Sequence, residues 1–180
     1  MKDTYVIAVC GPSGSGKSTV VSGMAARLGC PVFSADRYFK SELPKMISPD
    51  DGREYDDWNS PGSVDYDALV SDVRREIEED RPRYLIVEGV LIMTSEKVRD
   101  LADATVYVDA SPETCIFRRI LRNTSEFGMT VAEVGEYYLR CARHREREYC
   151  LPAKETADYV IDNDVSFTRD LEKVLSEILK

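Results

Sequence analysis

Apolar residues follow two alternating rhythms along this chain. Short unbroken runs, rich in β-branched and aromatic residues, lie at Tyr5 to Val9, Pro31 to Ser34, Tyr84 to Val87, Thr105 to Val108 and Tyr159 to Ile161. Runs of this kind predict strands buried on both faces. Between them, apolar residues return every three or four positions, as Val20, Val21, Met24 and Leu28 do. That spacing predicts helices over Lys17 to Leu28, Val64 to Glu79, Pro112 to Arg122, Val131 to Tyr149 and Phe167 to Leu179. The third has a clear start, with Ser111 as cap and Pro112 in the first turn. On it, Ile116, Phe117, Ile120 and Leu121 are expected to face the core, with Arg118, Arg119 and Arg122 on the other side. Five strands alternating with helices predict an α/β fold, a five-stranded parallel sheet covered on both faces. Ligands of such folds bind at the carboxyl ends of the strands.

The first of those ends carries "GPSGSGKST", Gly11 to Thr19. Gly11, four residues, then Gly16, Lys17 and Ser18 form the phosphate-binding loop pattern, with the strand before it and the helix after it that the pattern requires. Gly11, Gly14 and Gly16 let backbone N–H groups approach a phosphate, and Ser13, Ser15 and Thr19 complete the predicted cradle. Lys17 would reach the β- and γ-phosphates, and the Ser18 hydroxyl would bind Mg²⁺. An ordinary glycine-rich turn has no need of Lys and Ser at those two places. A nucleoside triphosphate with magnesium is the implied ligand.

Four further features fall at strand ends or in the connections beyond them. Asp36 lies two residues past the second strand, in "FSADRYFK" beside Tyr38. A carboxylate there could accept a proton from an attacking hydroxyl, or could cap a helix or pair with Arg37. Glu88 closes the strand "YLIVEG". A single acid at the end of a buried strand needs a partner, and Mg²⁺ or its bound water is a natural one. After the arginines of the third helix comes "NTSEFGM", a polar segment with a glycine that suits a lid over about 123–130. "YDDWNSPGSVDYDAL", from Tyr55 to Leu69, offers Asp56, Asp57 and Asn59 to sugar hydroxyls and Trp58 to a flat base, while Pro61 and Asp65 suit a turn and a helix cap.

Charge and cysteine usage narrow the partners. The 180 residues carry a net charge of −9, which argues against a nucleic-acid backbone. Between residues 118 and 147, however, seven arginines face four glutamates, a local charge of +3. That suits a polyphosphate held locally, although "RHRERE" at Arg143 to Glu148 reads equally as a salt-bridged helix face. No apolar run approaches the ~20 residues of a membrane span. The N-terminal run is too short for a secretory signal. The five cysteines are scattered and lack a C-x-x-C pair, which disfavours a disulfide framework or zinc site and favours a reducing cytoplasm.

"GPSGSGKST", "ADRYFK", "DWNSPGSVD", "LIVEGVLI", "RRILRN" and "LPAKETADYVI" occur in the order seen in the uridine kinase and nicotinamide riboside kinase family, which the chain resembles from about Tyr5 to Asp162. The resemblance implies one domain with the three-layer P-loop kinase fold and a small lid. It implies transfer of the γ-phosphate of ATP, with Mg²⁺, to the 5′-hydroxyl of a ribonucleoside. It implies Asp36 as general base, Lys17 and Ser18 on phosphate and metal, Glu88 near the metal, Arg119 and Arg122 on the phosphates, and Arg143 as a substrate- or phosphate-side contact. Tyr38, Asp56, Asp57 and Asn59 complete the acceptor side.

The chain departs from the family in three ways. Asn59 stands where the family often has an aspartate on the ribose hydroxyls, and Asn123 and Phe127 replace charged lid residues. The Pro-x-Tyr-Asp hairpin of uridine kinases has no room in "EEDRPRYLIVEG", which brings the chain closer to the nicotinamide riboside kinase type. A GTPase is disfavoured, since Asn-Lys-x-Asp and Asp-x-x-Gly are missing. A nucleoside monophosphate kinase would need arginines for its acceptor in place of Asp36. A noncatalytic ATP-binding regulator has no feature of the sequence in its favour.

Overall fold

The five apolar runs pair side by side, all parallel, in this computed structural model, which describes residues 4–164 and 167–179. In chain order the elements are β1 (Tyr5–Cys10), α1 (Lys17–Leu28), β2 (Val32–Ser34), β3 (Lys45–Ile47), β4 (Glu54–Asp56), α2 (Tyr66–Glu79), β5 (Tyr84–Glu88), α3 (Glu96–Leu101), β6 (Ala104–Asp109), α4 (Pro112–Glu126), α5 (Val131–Tyr137), α6 (Arg143–Arg145), α7 (Ala153–Thr156), β7 (Tyr159–Asp162) and α8 (Phe167–Ile178). The sheet order is β2-β5-β1-β6-β7.

Central β1 shows why its run is unbroken. Val6, Ala8 and Cys10 pack on one side with Leu69, Val70 and Val73 of α2 and Val98 of α3. Ile7 and Val9 pack on the other with Val20 and Met24 of α1 and Leu171 and Val174 of α8. Both faces are covered, so no polar alternation is needed. Register sets the functional rim: Glu88 of β5 lies opposite both Val9 of β1 and Ser34 of β2.

Three features depart from the sequence reading. First, β3 and β4 form an antiparallel hairpin through a turn with Gly52 at φ 70°. Its strands are three residues long, too short for periodicity to announce them. Second, the helix expected over Val131 to Tyr149 is a rod with two widened π turns, Tyr138–Ala142 and Glu146–Cys150. Third, the orientation of α4 is corrected. Its buried positions are Cys115, Arg119 and Asn123, while Phe117 and Leu121 are 62% and 53% exposed. α4 packs on α5 rather than on the sheet, so its inner side meets the rim.

Asp65 caps α2, with its Oδ1 accepting from Ala68 N–H. α2 and β5 are joined by residues 80–83 alone, with no hairpin between them. α4 runs on to Glu126, taking in the first half of the segment expected as lid; Gly128 turns the chain, and Thr130 and Glu133 form a capping box that starts α5. All five cysteines are free. Among the described residues no helix is long and apolar enough to cross a membrane.

Candidate active site

The loop between β1 and α1 is built for close approach. Gly14 has φ 90°, and a Cβ there would stand 2.3 Å from the Cys115 carbonyl oxygen, so only glycine lets the loop lie against the start of α4. α1 begins at Gly16 with no side-chain cap and no acid in its first turn. Thr19 and Val20 N–H donate to the Gly16 carbonyl at 3.0 and 3.2 Å, so the N–H groups ahead of them and the positive end of the dipole are what the helix offers an anion. Lys17 is buried and its Nζ donates to the Pro12 carbonyl at 3.1 Å, folded back over the loop. The Ser15 Oγ is buried without a hydrogen-bond partner among the described residues. Ser18 and Thr19 are exposed in the first helical turn. A polyphosphate fits this cradle: it would take up the free N–H groups and the lysine.

Two carboxylates stand on the same rim. Glu88 is buried at the end of β5. Gly89 follows it, where a Cβ would stand 2.7 Å from the Ala35 Cβ, so the absence of a side chain lets β5 run hard against the turn that carries Asp36. The Ser34 Oγ accepts from Asp36 N–H at 3.4 Å, leaving the Asp36 carboxylate exposed and unspent on capping. Among the described residues no three acidic, histidine or cysteine side chains cluster into a metal cage. A hydroxyl (Ser18) and a carboxylate (Glu88) match the sparse protein ligation of Mg²⁺, which takes its other oxygens from phosphates and water.

A cavity of about 780 Å³ opens between Ser13 of the loop and the turn that carries Asp36. Ser13 of the loop, Asp36, Arg119, Arg122 and Asn59 all line it. Arg119 is 8% exposed, and its Nε and one terminal nitrogen have no hydrogen-bond partner among the described residues. It lies over the Tyr137 ring at 5.7 Å and faces Glu146 at 3.6 Å. Arg122 is exposed, donating to Asn123 Oδ1 at 3.0 Å and to Ser13 Oγ at 3.4 Å. Burial and the charge of Arg119 hold its guanidinium below its ordinary value, and Asp36 pulls the other way. Donors and a carboxylate thus face one another across one space. Arg118 turns aside to the carbonyls of Ser15 and Asn163, at 3.4 and 3.2 Å, and braces the loop from outside.

The far wall is aromatic. Phe39 and Trp58 meet edge to face at 5.2 Å, and Tyr66 and Tyr137 also line the cavity. Tyr137 organises this wall, and nothing in the sequence marked it. Its hydroxyl donates to the Asp56 carbonyl at 3.1 Å and accepts from Trp58 N–H and Asn59 Nδ2, both at 3.2 Å. The Asn59 amide is thereby fixed by its nitrogen, so its oxygen is the end left for a ligand hydroxyl. Burial raises the Tyr137 hydroxyl well above its ordinary value, which keeps it neutral. Glu146 also escaped the sequence reading: the helix-face reading of "RHRERE" hid a buried carboxylate.

Four residues expected on the acceptor side are occupied elsewhere. Asp57 is fully buried, accepting from Arg145 Nε at 2.7 Å and from Asn59 N–H at 3.1 Å, so it anchors the loop instead of facing a ligand. Asp56 is on β4, paired with Lys45 at 2.6 Å. The Tyr38 hydroxyl donates to Asp72 at 2.9 Å. Arg143 pairs with Asp50 at 3.0 Å, alongside His144, and so clasps the β3–β4 hairpin to the helical rod. None of the four lines the cavity.

Comparison with known proteins fits this arrangement. Residues 67–168 match the model of the phosphoribulokinase/uridine kinase family. The chain is 30% identical to a uridine kinase of Geobacillus kaustophilus, over 89% of this chain and 86% of that one. It is 29% identical to a uridine kinase of Haemophilus influenzae, over 87% and 85%. The solved shikimate kinase of Acinetobacter baumannii, 20% identical, superimposes with a TM-score of 0.58 over 99% of this chain and 94% of that one, a likeness of fold.

Proposed function

The chain belongs to the phosphoribulokinase/uridine kinase family of ATP-dependent kinases that phosphorylate a hydroxyl, and we propose that its acceptor is the 5′-hydroxyl of a ribonucleoside. The observation that carries this reading is the shared cavity: Asp36 lines the same space as Ser13 of the phosphate loop and the two arginines. An alcohol lying between them has a base on one side and the phosphate chain on the other.

Each residue then has a task. The loop N–H groups and Lys17 hold the β- and γ-phosphates of ATP. Asp36 takes the proton of the attacking hydroxyl, within hydrogen-bond reach of it. Arg119 and Arg122 meet the charge that spreads over the transferring phosphoryl oxygens. Asn59 accepts from a ribose hydroxyl, and Phe39 and Trp58 offer ring edges and faces to the base. Ser18 and Glu88 would hold Mg²⁺, which would supply neutralisation of the phosphate charge. The 123–130 segment, with Glu126, Phe127 and Met129 on the cavity, closes over the bound pair as a lid. The five free thiols suit a reducing cytoplasm.

Pyrimidine nucleosides come first among acceptors, because the curated relatives are uridine kinases. A second reading, nicotinamide riboside, is favoured by one observation: the four-residue link from α2 to β5 leaves that side of the base pocket without a hairpin. ADP release with MgATP and uridine, cytidine, nicotinamide riboside or a simple sugar separates the readings. The expected result is release that depends on a ribonucleoside. Equal release with all four compounds and with buffer alone would defeat the nucleoside reading.

A further inference from the structure

Glu146 has no part in the reaction described above, yet it is 7% exposed beside the phosphate cradle. Its Oε1 has no hydrogen-bond partner among the described residues. It stands 3.6 Å from Arg119, too far for a hydrogen bond. Burial raises its carboxyl above the ordinary range, opposed by the charges of Arg119 and Lys17 and by the Ser13 N–H. Arg119, for its part, makes no hydrogen bond among the described residues through Nε or the nitrogen facing Glu146. Two buried charges with open valences cost several kcal/mol unless something completes them.

We propose that Glu146 is a positioning residue that holds the Arg119 guanidinium toward the phosphates of bound ATP. Arg119 is confined between two neighbours, the Tyr137 ring and the Glu146 carboxylate. Neither takes its directional hydrogen bonds, so its fork stays free to meet phosphate oxygens, which are acceptors of matching geometry. The widened turn makes this possible. Leu151 N–H donates to the Glu146 carbonyl at 2.8 Å, five residues back, and such a turn shifts the phase of the helix. Arg145 thus reaches Asp57 and Glu148 while Glu146 points inward.

The inference rests on the loop holding ATP. A double-mutant cycle in MgATP affinity, read by calorimetry without any acceptor, tests it. In the wild-type background, Arg119→Gln is expected to weaken MgATP binding by about 10- to 100-fold, the scale of a hydrogen bond to a charged group. In the Glu146→Gln background the same change is expected to cost less than about threefold, because the arginine is no longer aimed. Equal losses in both backgrounds would overturn the role of Glu146 alone. A wild type that does not bind MgATP would defeat the nucleotide reading itself. If Glu146→Gln lowers the melting temperature into the assay range, Glu146→Asp takes its place in the cycle: the charge stays, the shorter chain withdraws from Arg119, and the same shrinkage is expected.

Discussion

The two sides of α4 invert the usual relation between polarity and burial. One side places Arg119 and Asn123 in the interior, and the other leaves Phe117 and Leu121 in solvent. In α2, by contrast, the apolar stripe of Leu69, Val70 and Val73 is the buried side, packed on the sheet. The difference follows from what each helix covers. α2 lies on an apolar sheet face, where the hydrophobic effect chooses the side. α4 lies beside the cavity, and its inner side carries Arg119, Arg122 and Asn123 onto it. A buried charge whose hydrogen bonds the protein does not complete, as at Arg119, points to a ligand, whereas Asp57 is buried just as deeply and is completed by Arg145.

Substitutions along α4 can break or sharpen this contrast. The largest effect is expected at Arg119. Arg119→Ala removes the buried charge that the proposal assigns to the reacting phosphate, and turnover should fall on the order of 10²- to 10³-fold. Turnover within a few-fold of wild type would mean that the buried side is merely structural. Tyr137→Phe comes next. It removes the hydroxyl that fixes Asn59 and Trp58, so KM for the acceptor should rise about tenfold while MgATP affinity stays put; a change confined to MgATP affinity would contradict the placement of Tyr137 on the acceptor wall. Arg122→Ala should cost less than Arg119→Ala, about tenfold in turnover, since Arg122 is exposed and its contact with Ser13 Oγ is long, 3.4 Å. The smallest effect belongs to the outer side. Phe117→Ser and Leu121→Gln should leave turnover unchanged and shift stability by no more than about 0.5 kcal/mol. A drop in melting temperature typical of a core residue would show that this side is covered in solution.

The phosphate half of the site was legible in the sequence because it is local. Strand, loop and helix start lie within Tyr5 to Thr19, and the loop's geometry depends on glycines and a lysine at fixed spacing. Asp36 and Glu88 were legible for a related reason: a parallel sheet brings strand ends to one rim, so position in the chain translates into position in space. The acceptor half was much less legible. Asn59 meets Tyr137 across 78 residues, and no spacing rule connects them. Asp57 looked like a ligand residue because acids in loops usually are exposed; a single arginine from the helical rod takes it inside. Glu146 was hidden by the widened turns, which break the 3.6-residue phase on which face assignments depend. The orientation of α4 was misread because hydrophobic periodicity finds an apolar side, and a cavity needs a polar one.

The account stands on Asp36 facing the phosphate cradle across the common cavity as the base for an acceptor hydroxyl. The direct measurement is Asp36→Ala, assayed in parallel for MgATP affinity and for phosphoryl transfer to the best nucleoside acceptor. Affinity should be nearly unchanged while transfer falls about 10²-fold or more, the scale of general-base catalysis. Transfer at the wild-type rate in that variant would contradict it.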